Sequence, residues 1–587
     1  MYGGSRCAAD AAAAAAGKRW RRRRELAAAH FNAHPFVLAY VLACSCVLAR
    51  YSQVPLALAR NMVRAFASAL LLSGSLAGAA APPRPNFLVL FPDQWRHDWT
   101  PDNAALTNLS MPTWASLRAR GTHFTKAFVP APLCAPSRAC LAGGREYDAA
   151  GVPDNFSNDY PVNQTTFMAL LARAGYEVMT SGKDDLTKAT GPSIDGSFHA
   201  AALGFTAYAR CDGKDDATGA TPHDPYGAYC AARWEIVGGK NETLFDVYNN
   251  DMHSCAKNGG SSGYDCAAAS PMPQESYEDN YVANNAVALL KNKSKGTPWF
   301  LQVSFPGPHP PFVVTAGMMA RTAGLAYPLA VDNKAMTADV QHIVRSDYAA
   351  ELENLDTMFA RVLAAIPADE LANTFIIIAS DHGEMLGDHD DWGKTMPWQG
   401  SVSVPLVVLG PGLPAGGATV GEPVGTMDIA GTVLELAGVA PAPNMTTVSL
   451  MPLLGGGAYR HFVSSGLGDW RAVAMKRPDG THLKLVCCAA GKCPGQPRND
   501  TSVFVGDSGE DAGRYAAATA GQRVHVPPRA AQKGNHTVLL FDIDADPYDM
   551  DDLSTTRRKA AQDMIALLPA GWCGSAGRGS NGATPNA

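Results

Sequence analysis

The chain has 587 residues, of which 47% are hydrophobic and 17% charged, with a net charge of −6. That length can hold several domains around a large core, and the composition is that of a globular protein. No basic stripe crosses the body, which excludes nucleic acid as a partner class.

Residues 1–81 read as a leader: an Ala-rich start, a basic run from Lys18 to Arg24, and apolar stretches at Phe36–Ala49 and Ala65–Ala81. Neither stretch spans a bilayer comfortably, so no stable membrane span is expected. The second has signal-peptide anatomy, with Arg60 and Arg64 ahead of Leu70–Leu72 and a small-residue exit at Ala77–Ala81. Met62 is then a candidate start and Pro82 the expected mature terminus; the rival is a signal anchor containing Phe36–Ala49. Entry into the secretory pathway is expected, leading to a secreted, lysosomal or vacuolar, or cell-surface protein. Sequons at Asn108, Asn155, Asn163, Asn241, Asn292, Asn444, Asn499 and Asn535 fit it, mostly as surface loops, as do the 13 cysteines. Cys140 is expected as a buried thiol. Bridges are expected within Cys211, Cys230, Cys255 and Cys266, and within Cys487, Cys488, Cys493 and Cys573, with the pairings open.

Four apolar runs follow, each ending in polar chemistry. Phe87–Phe91 precedes Asp93-Gln94, Glu177–Thr180 precedes Lys183, Trp299–Phe305 precedes His309, and Thr374–Ala379 precedes Asp381-His382. Continuous apolar runs of this length predict strands buried on both faces. With helical stretches such as Tyr348–Ile366 between them, a parallel α/β sheet is predicted. Ligands then bind beyond the carboxyl ends of the strands, so these turns converge on one edge.

Between the first two runs lies Cys134-Ala-Pro-Ser-Arg138-Ala-Cys-Leu-Ala-Gly-Gly-Arg145. Pro136 suits a first helical turn, so the spacing predicts a helix from Cys134 through Arg145. A nucleophile at its mouth faces free N–H groups and the positive end of the helix dipole. Arg138, one turn on, can reach both that nucleophile and a bound oxyanion.

The twelve-residue stretch resembles the C-x-P-S-R…G-R signature of the type I sulfatases. Pro85–Gln94, Phe305–Phe312, Ser380–Lys394 and Phe541–Met550 resemble further segments of that family. The resemblance implies an alkaline-phosphatase-like α/β/α sandwich with a large, mostly parallel mixed sheet and a smaller C-terminal antiparallel-sheet domain. It implies a catalytic domain over 82–455 and a C-terminal domain over 456–573, and the low-complexity composition of 574–587 predicts a disordered tail. Residues 186–270, Gly-rich and holding four cysteines, read as an insertion capping the site. Arg471–Met475 and Thr481–Val486 around Pro478-Asp479-Gly480 predict a hairpin.

By the same resemblance a formylglycine-generating enzyme oxidises Cys134, whose hydrated aldehyde attacks sulfur. The implied metal ligands are Asp93, Gln94, residue 134, Asp381 and His382. Ca²⁺ is the family default, while Gln94 and His382, which depart from the common Asp and Asn, keep Mn²⁺ or Mg²⁺ open. Arg138 steadies the nucleophile, Lys183 and Lys394 bind sulfate, and His309 protonates the leaving alcohol. The usual histidine two residues after the first lysine is Asp185 here, a possible base. Sulfate esters, by analogy those of sulfated carbohydrates, are the expected substrates. The alternatives are a phosphonate or phosphate ester hydrolase of the same fold and an inactive glycan-binding homologue.

Overall fold

Phe87 to Leu90 alternate between two cores, and this alternation organises the molecule. In the computed structural model, Leu88 and Leu90 pack with Val282, Leu290, Tyr348 and Leu352 on one side. Phe87 and Val89 pack with Ala135, Ala139 and Leu141 on the other. The structure describes residues 83–188, 200–214, 217, 221–237, 240–257, 268–334, 336–414, 416–489, 493 and 536–575. The leader, the sequons at Asn499 and Asn535, and all but the first residues of the tail lie outside them.

The main sheet has eight strands. They are β1 (Asn86–Leu90), β2 (Thr122–Phe124), β3 (Glu177–Lys183), β4 (Ala207–Cys211), β5 (Trp299–Ser304), β6 (Thr374–Ile378), β7 (Val407–Leu409) and β8 (Ala418–Val420). Their spatial order is β8-β2-β7-β6-β1-β5-β3-β4. β1 is parallel to both β5 and β6, and β3 is parallel to β5 and β4. β7 alone runs against its neighbours. The sheet is thus mixed and mostly parallel, as predicted, and its four apolar runs are β1, β3, β5 and β6. β4 arises inside the segment read as an insertion, which therefore supplies an edge of the sheet.

Helices cover both faces: α1 (Cys134–Gly143) on one, α2 (Glu278–Asn292) and α3 (Ala338–Ala364) on the other. α1 stops two residues short of Arg145 because Gly144 turns left-handed, φ 56°, and sends its N–H back to the Leu141 carbonyl. α3 begins ten residues before Tyr348, where the Thr337 hydroxyl accepts from Val340 N–H.

A four-stranded antiparallel sheet follows: β9 (Val463–Leu467), β10 (Trp470–Lys476), β11 (His482–Ala489) and β12 (His536–Asp542). The predicted hairpin is β10–β11, closed by Lys476 opposite His482. Disulfides join Cys487 to Cys573 and Cys488 to Cys493, both within the second cysteine group. In the first group Cys211 and Cys230 are buried thiols, not bridged as expected. Cys211 faces Glu278 and Cys230 faces Tyr226, so each is absorbed by the core. The Cys255 side chain and Cys266 are outside the described residues. Cys140 is the expected buried thiol, and burial pushes its pKa up.

Candidate active site

Cys134 opens α1 and is fully buried. Leu133, still extended, provides no side-chain cap. The Ala135 N–H is taken instead by Oδ1 of Asn155 at 3.0 Å. Asn155, read from sequence as a sequon, is only 1% exposed. It fixes the mouth of α1, a role that no local pattern signals.

Asp93 follows β1 and Asp381-His382 follow β6, and because these strands are parallel neighbours, their ends coincide. The Asp93 N–H donates to the Phe305 carbonyl beyond β5, holding that turn to the sheet. The ligand atoms of Asp93, Cys134, Asp381 and His382 all lie within 4.8 Å of one another. Arg138 spans the two carboxylates, with Nη2 3.1 Å from Asp93 and 2.8 Å from Asp381. Lys183, the last residue of β3, brings Nζ to 2.7 Å from Asp93.

Burial alone would raise the Asp93 carboxyl, but Lys183, then His309, Arg138 and Lys394, hold it well below the usual range. Burial lowers the pKa of His382. Its Nδ1 sits 3.1 Å from the Gly383 carbonyl, which fixes the proton there and leaves Nε2 as a lone pair 3.2 Å from Cys134 Sγ. Two carboxylates, an imidazole and the residue-134 position fit a hard or borderline divalent cation.

Gln94 is brought to the same place in a left-handed conformation, φ 65°. Its Nε2 donates to Glu384, while its Oε1 accepts from Lys394 Nζ at 3.0 Å. Lys394 Nζ also lies 3.1 Å from Cys134 Sγ and 2.7 Å from His309 Nε2. His309 Nδ1 faces the Pro310 carbonyl at 2.6 Å, so Nε2 is turned toward Lys394. Asp185, φ 50°, lies among cations, 3.4 Å from Lys183 and 4.0 Å from Arg138.

Sequence reasoning missed the supports around these groups. Glu384, buried directly after the Asp381-His382-Gly383 turn, accepts from Gln94 and from the N–H groups of Leu386 and Gly393. The loop carrying His309 is pinned at both ends: Asp279 accepts the Gly307 N–H at 2.9 Å and Lys214 donates to the Pro311 carbonyl at 3.3 Å. Lys214 is itself held by Glu351 at 2.6 Å. The position of Glu384, one residue past a strand-ending turn, is the sole local hint among them.

The family model described as Sulfatase matches residues 85–439. The chain belongs to the sulfatase family. Choline-sulfatase of Rhizobium meliloti (strain 1021) is 27% identical over 406 residues, covering 64% of this sulfatase and 72% of that protein. Arylsulfatase K of Mus musculus is 26% identical over 441 residues, covering 75% and 70%. Among solved structures, the phosphonate monoester hydrolase of Agrobacterium radiobacter superposes with a TM-score of 0.59 at 20% identity, over 82% of this chain and 93% of that one. A structure in complex with its substrate D-glucosamine-2-N,6-O-disulfate superposes with a TM-score of 0.56 at 17% identity, over 82% and 96%. The structural matches establish the alkaline-phosphatase-like fold. Together with the sequence relatives, the family match makes this chain a sulfuric ester hydrolase.

Proposed function

We propose that this sulfatase cleaves sulfate esters of carbohydrates, using formylglycine at position 134 and a divalent metal held by Asp93, residue 134, Asp381 and His382. The observation that carries the reading is the burial of Cys134 at a helix mouth, amid these ligands and beside Lys394. When bound, the metal offsets negative charge and the modified residue supplies the oxygen nucleophile.

The chain's own groups then have separable tasks. Arg138 pairs with both Asp93 and Asp381 and orients them as ligands. Lys183 and Lys394 neutralise sulfate oxygens, each with Nζ already turned toward position 134, at 3.8 Å and 3.1 Å from the thiol. His309 Nε2, 2.7 Å from Lys394 Nζ, gives a proton to the departing alcohol. Asp185, among Lys183, Lys188 and Arg138, is placed to accept a proton as sulfate leaves. The Asp185→Asn variant tests this: loss of the acid limb of the pH–rate profile is expected, and an unchanged profile would leave Asp185 a charge-balancing residue.

Ca²⁺ is the expected metal, and the departures at Gln94 and His382 leave Mn²⁺ or Mg²⁺ as the alternatives. Modification of Cys134 requires a formylglycine-generating enzyme, which fits synthesis in the secretory pathway and a secreted, lysosomal or vacuolar, or cell-surface location. The sulfated-sugar complex on the same fold motivates the carbohydrate substrate. Mass spectrometry of the Cys134 peptide, with turnover of a panel of sulfated sugars, steroids and aryl esters, tests the reading. An unmodified Cys134 in active enzyme would refute it. Phosphonate ester hydrolysis is the second reading, favoured by a phosphonate hydrolase of the same fold, and relative turnover of aryl sulfate and aryl phosphonate separates the two.

A further inference from the structure

The hairpin of Trp234–Val237 and Lys240–Thr243 is an ill-supported element. Its register sets Trp234 opposite Thr243 and Ile236 opposite Asn241 on one face, with Glu235 opposite Glu242 on the other. Two carboxylates directly across a strand pair destabilise it, and a two-stranded ribbon is marginal in water. The first face compounds this, because Trp234 is 60% and Ile236 79% exposed. Large apolar side chains exposed side by side mark a surface that something covers.

Asn241 belongs to the sequon Asn241-Glu242-Thr243 and is exposed. We propose that Asn241 carries an N-linked glycan whose first N-acetylglucosamine lies across Ile236 and Trp234. This rests on the secretory reading above. In the modification Asn241 Nδ2 loses a proton and bonds the anomeric carbon of an oligosaccharide, whose lipid diphosphate carrier departs. Directly opposed residues have Cβ atoms about 5 Å apart and diagonal ones about 7–8 Å, so the first sugar cannot avoid Ile236 and reaches the indole. Its C–H face and acetyl methyl are apolar, and Trp offers the largest flat apolar surface of any side chain. The attachment costs no internal bond. At other sequons it would: Asn155 Oδ1 holds the Ala135 N–H, and Asn108 Nδ2 donates to the Ala326 carbonyl.

The test uses full-length protein secreted from a eukaryotic host. Peptide mass spectrometry reads occupancy at Asn163, Asn241, Asn292 and Asn444, all exposed. Hydrogen exchange then reads the 234–243 amides before and after enzymatic removal of the glycan. Occupied Asn241 is expected, with exchange about tenfold faster after deglycosylation. Trp234→Ala is expected to exchange equally fast while keeping its sugar. A bare Asn241 beside occupied neighbours would overturn the inference, as would an occupied Asn241 with unchanged exchange. Self-association of the glycosylated protein that Trp234→Ala abolishes would assign the face to a second copy instead. If all four sites are bare, the inference fails and sulfate hydrolysis stands.

Discussion

The two walls of the active site are built differently. Asp93, Asp381 and His382 stand at the ends of adjacent parallel strands, and Cys134 and Arg138 on one helix. Their geometry follows from β1, β6 and α1 being where they are. His309 and Lys394 stand on loops. Lys394 sits between Gly393, φ 71°, and Thr395, φ 77°, a left-handed pair of which the second is costly for a β-branched residue. That conformation is held from outside the main sheet. Trp470 Nε1 of β10 donates to the Thr395 carbonyl at 2.9 Å, and Lys484 Nζ of β11 donates to the Pro397 carbonyl at 2.8 Å. Asp549, paired with Lys484 at 2.6 Å, accepts the Gln399 N–H. One wall is inherited from the sheet; the other is buttressed by the small C-terminal sheet and by Asp279 and Lys214. Damage to the first should therefore abolish chemistry, and damage to the second should tune it.

The largest effect is expected at Cys134→Ser, which should fold and keep its metal but lose multiple turnover by at least about 10⁴-fold, since serine cannot expel sulfate by forming a carbonyl. Sustained cycling in a burst assay would break the proposed mechanism. Chelation should abolish activity, and Asp93→Asn should remain inactive at metal concentrations that restore the wild type, because a ligand charge is gone. Full recovery of that variant by Ca²⁺ would argue that the two-carboxylate wall is not the metal site.

His309→Ala should slow esters of poor leaving alcohols by about 10²–10⁴-fold and barely affect those of acidic phenols, which need no proton. Equal losses on both substrates would remove His309 from proton transfer. For the buttress, Trp470→Phe keeps an aromatic side chain, though a smaller one, and deletes the bond to Thr395; a net hydrogen bond of about 1 kcal/mol corresponds to roughly a fivefold fall in kcat if it acts through Lys394. Metal affinity should not change. A fall in metal affinity instead would mean that the two walls are not independent.

The smallest effect concerns pH. Burial pushes Glu278 up to about 8, Glu351 to about 7 and Asp279 to about 6. Carboxyls with raised folded-state pKa values contribute stability that is full below their unfolded values, near 4, and is lost as pH rises through 6 to 8. The melting temperature should therefore rise from pH 8 to pH 5, and Glu278→Gln should flatten that slope.

The same division explains what the sequence could reveal. Strand-end residues were legible because a continuous apolar run followed by a polar turn is a local pattern, and the Cys134–Arg145 spacing is local as well. Asn155, Asp279, Lys214, Trp470 and Lys484 act on groups far away in sequence, through single hydrogen bonds that leave no periodic trace. β4 was hidden for a different reason. It is an edge strand with a half-exposed start, embedded in a polar, Gly-rich stretch, so it lacks the apolar continuity of its neighbours.

The Cys487–Cys573 bridge has a topological consequence. Any cut after Cys493 and before His536 separates β11 from β12 in the chain, yet those strands pair along 7 residue positions and the bridge joins the two pieces covalently. A protease acting there would produce a two-chain enzyme, one band on a nonreducing gel and two on a reducing one. Its long piece would carry every proposed catalytic residue, and its short piece would carry β12 and Asp549.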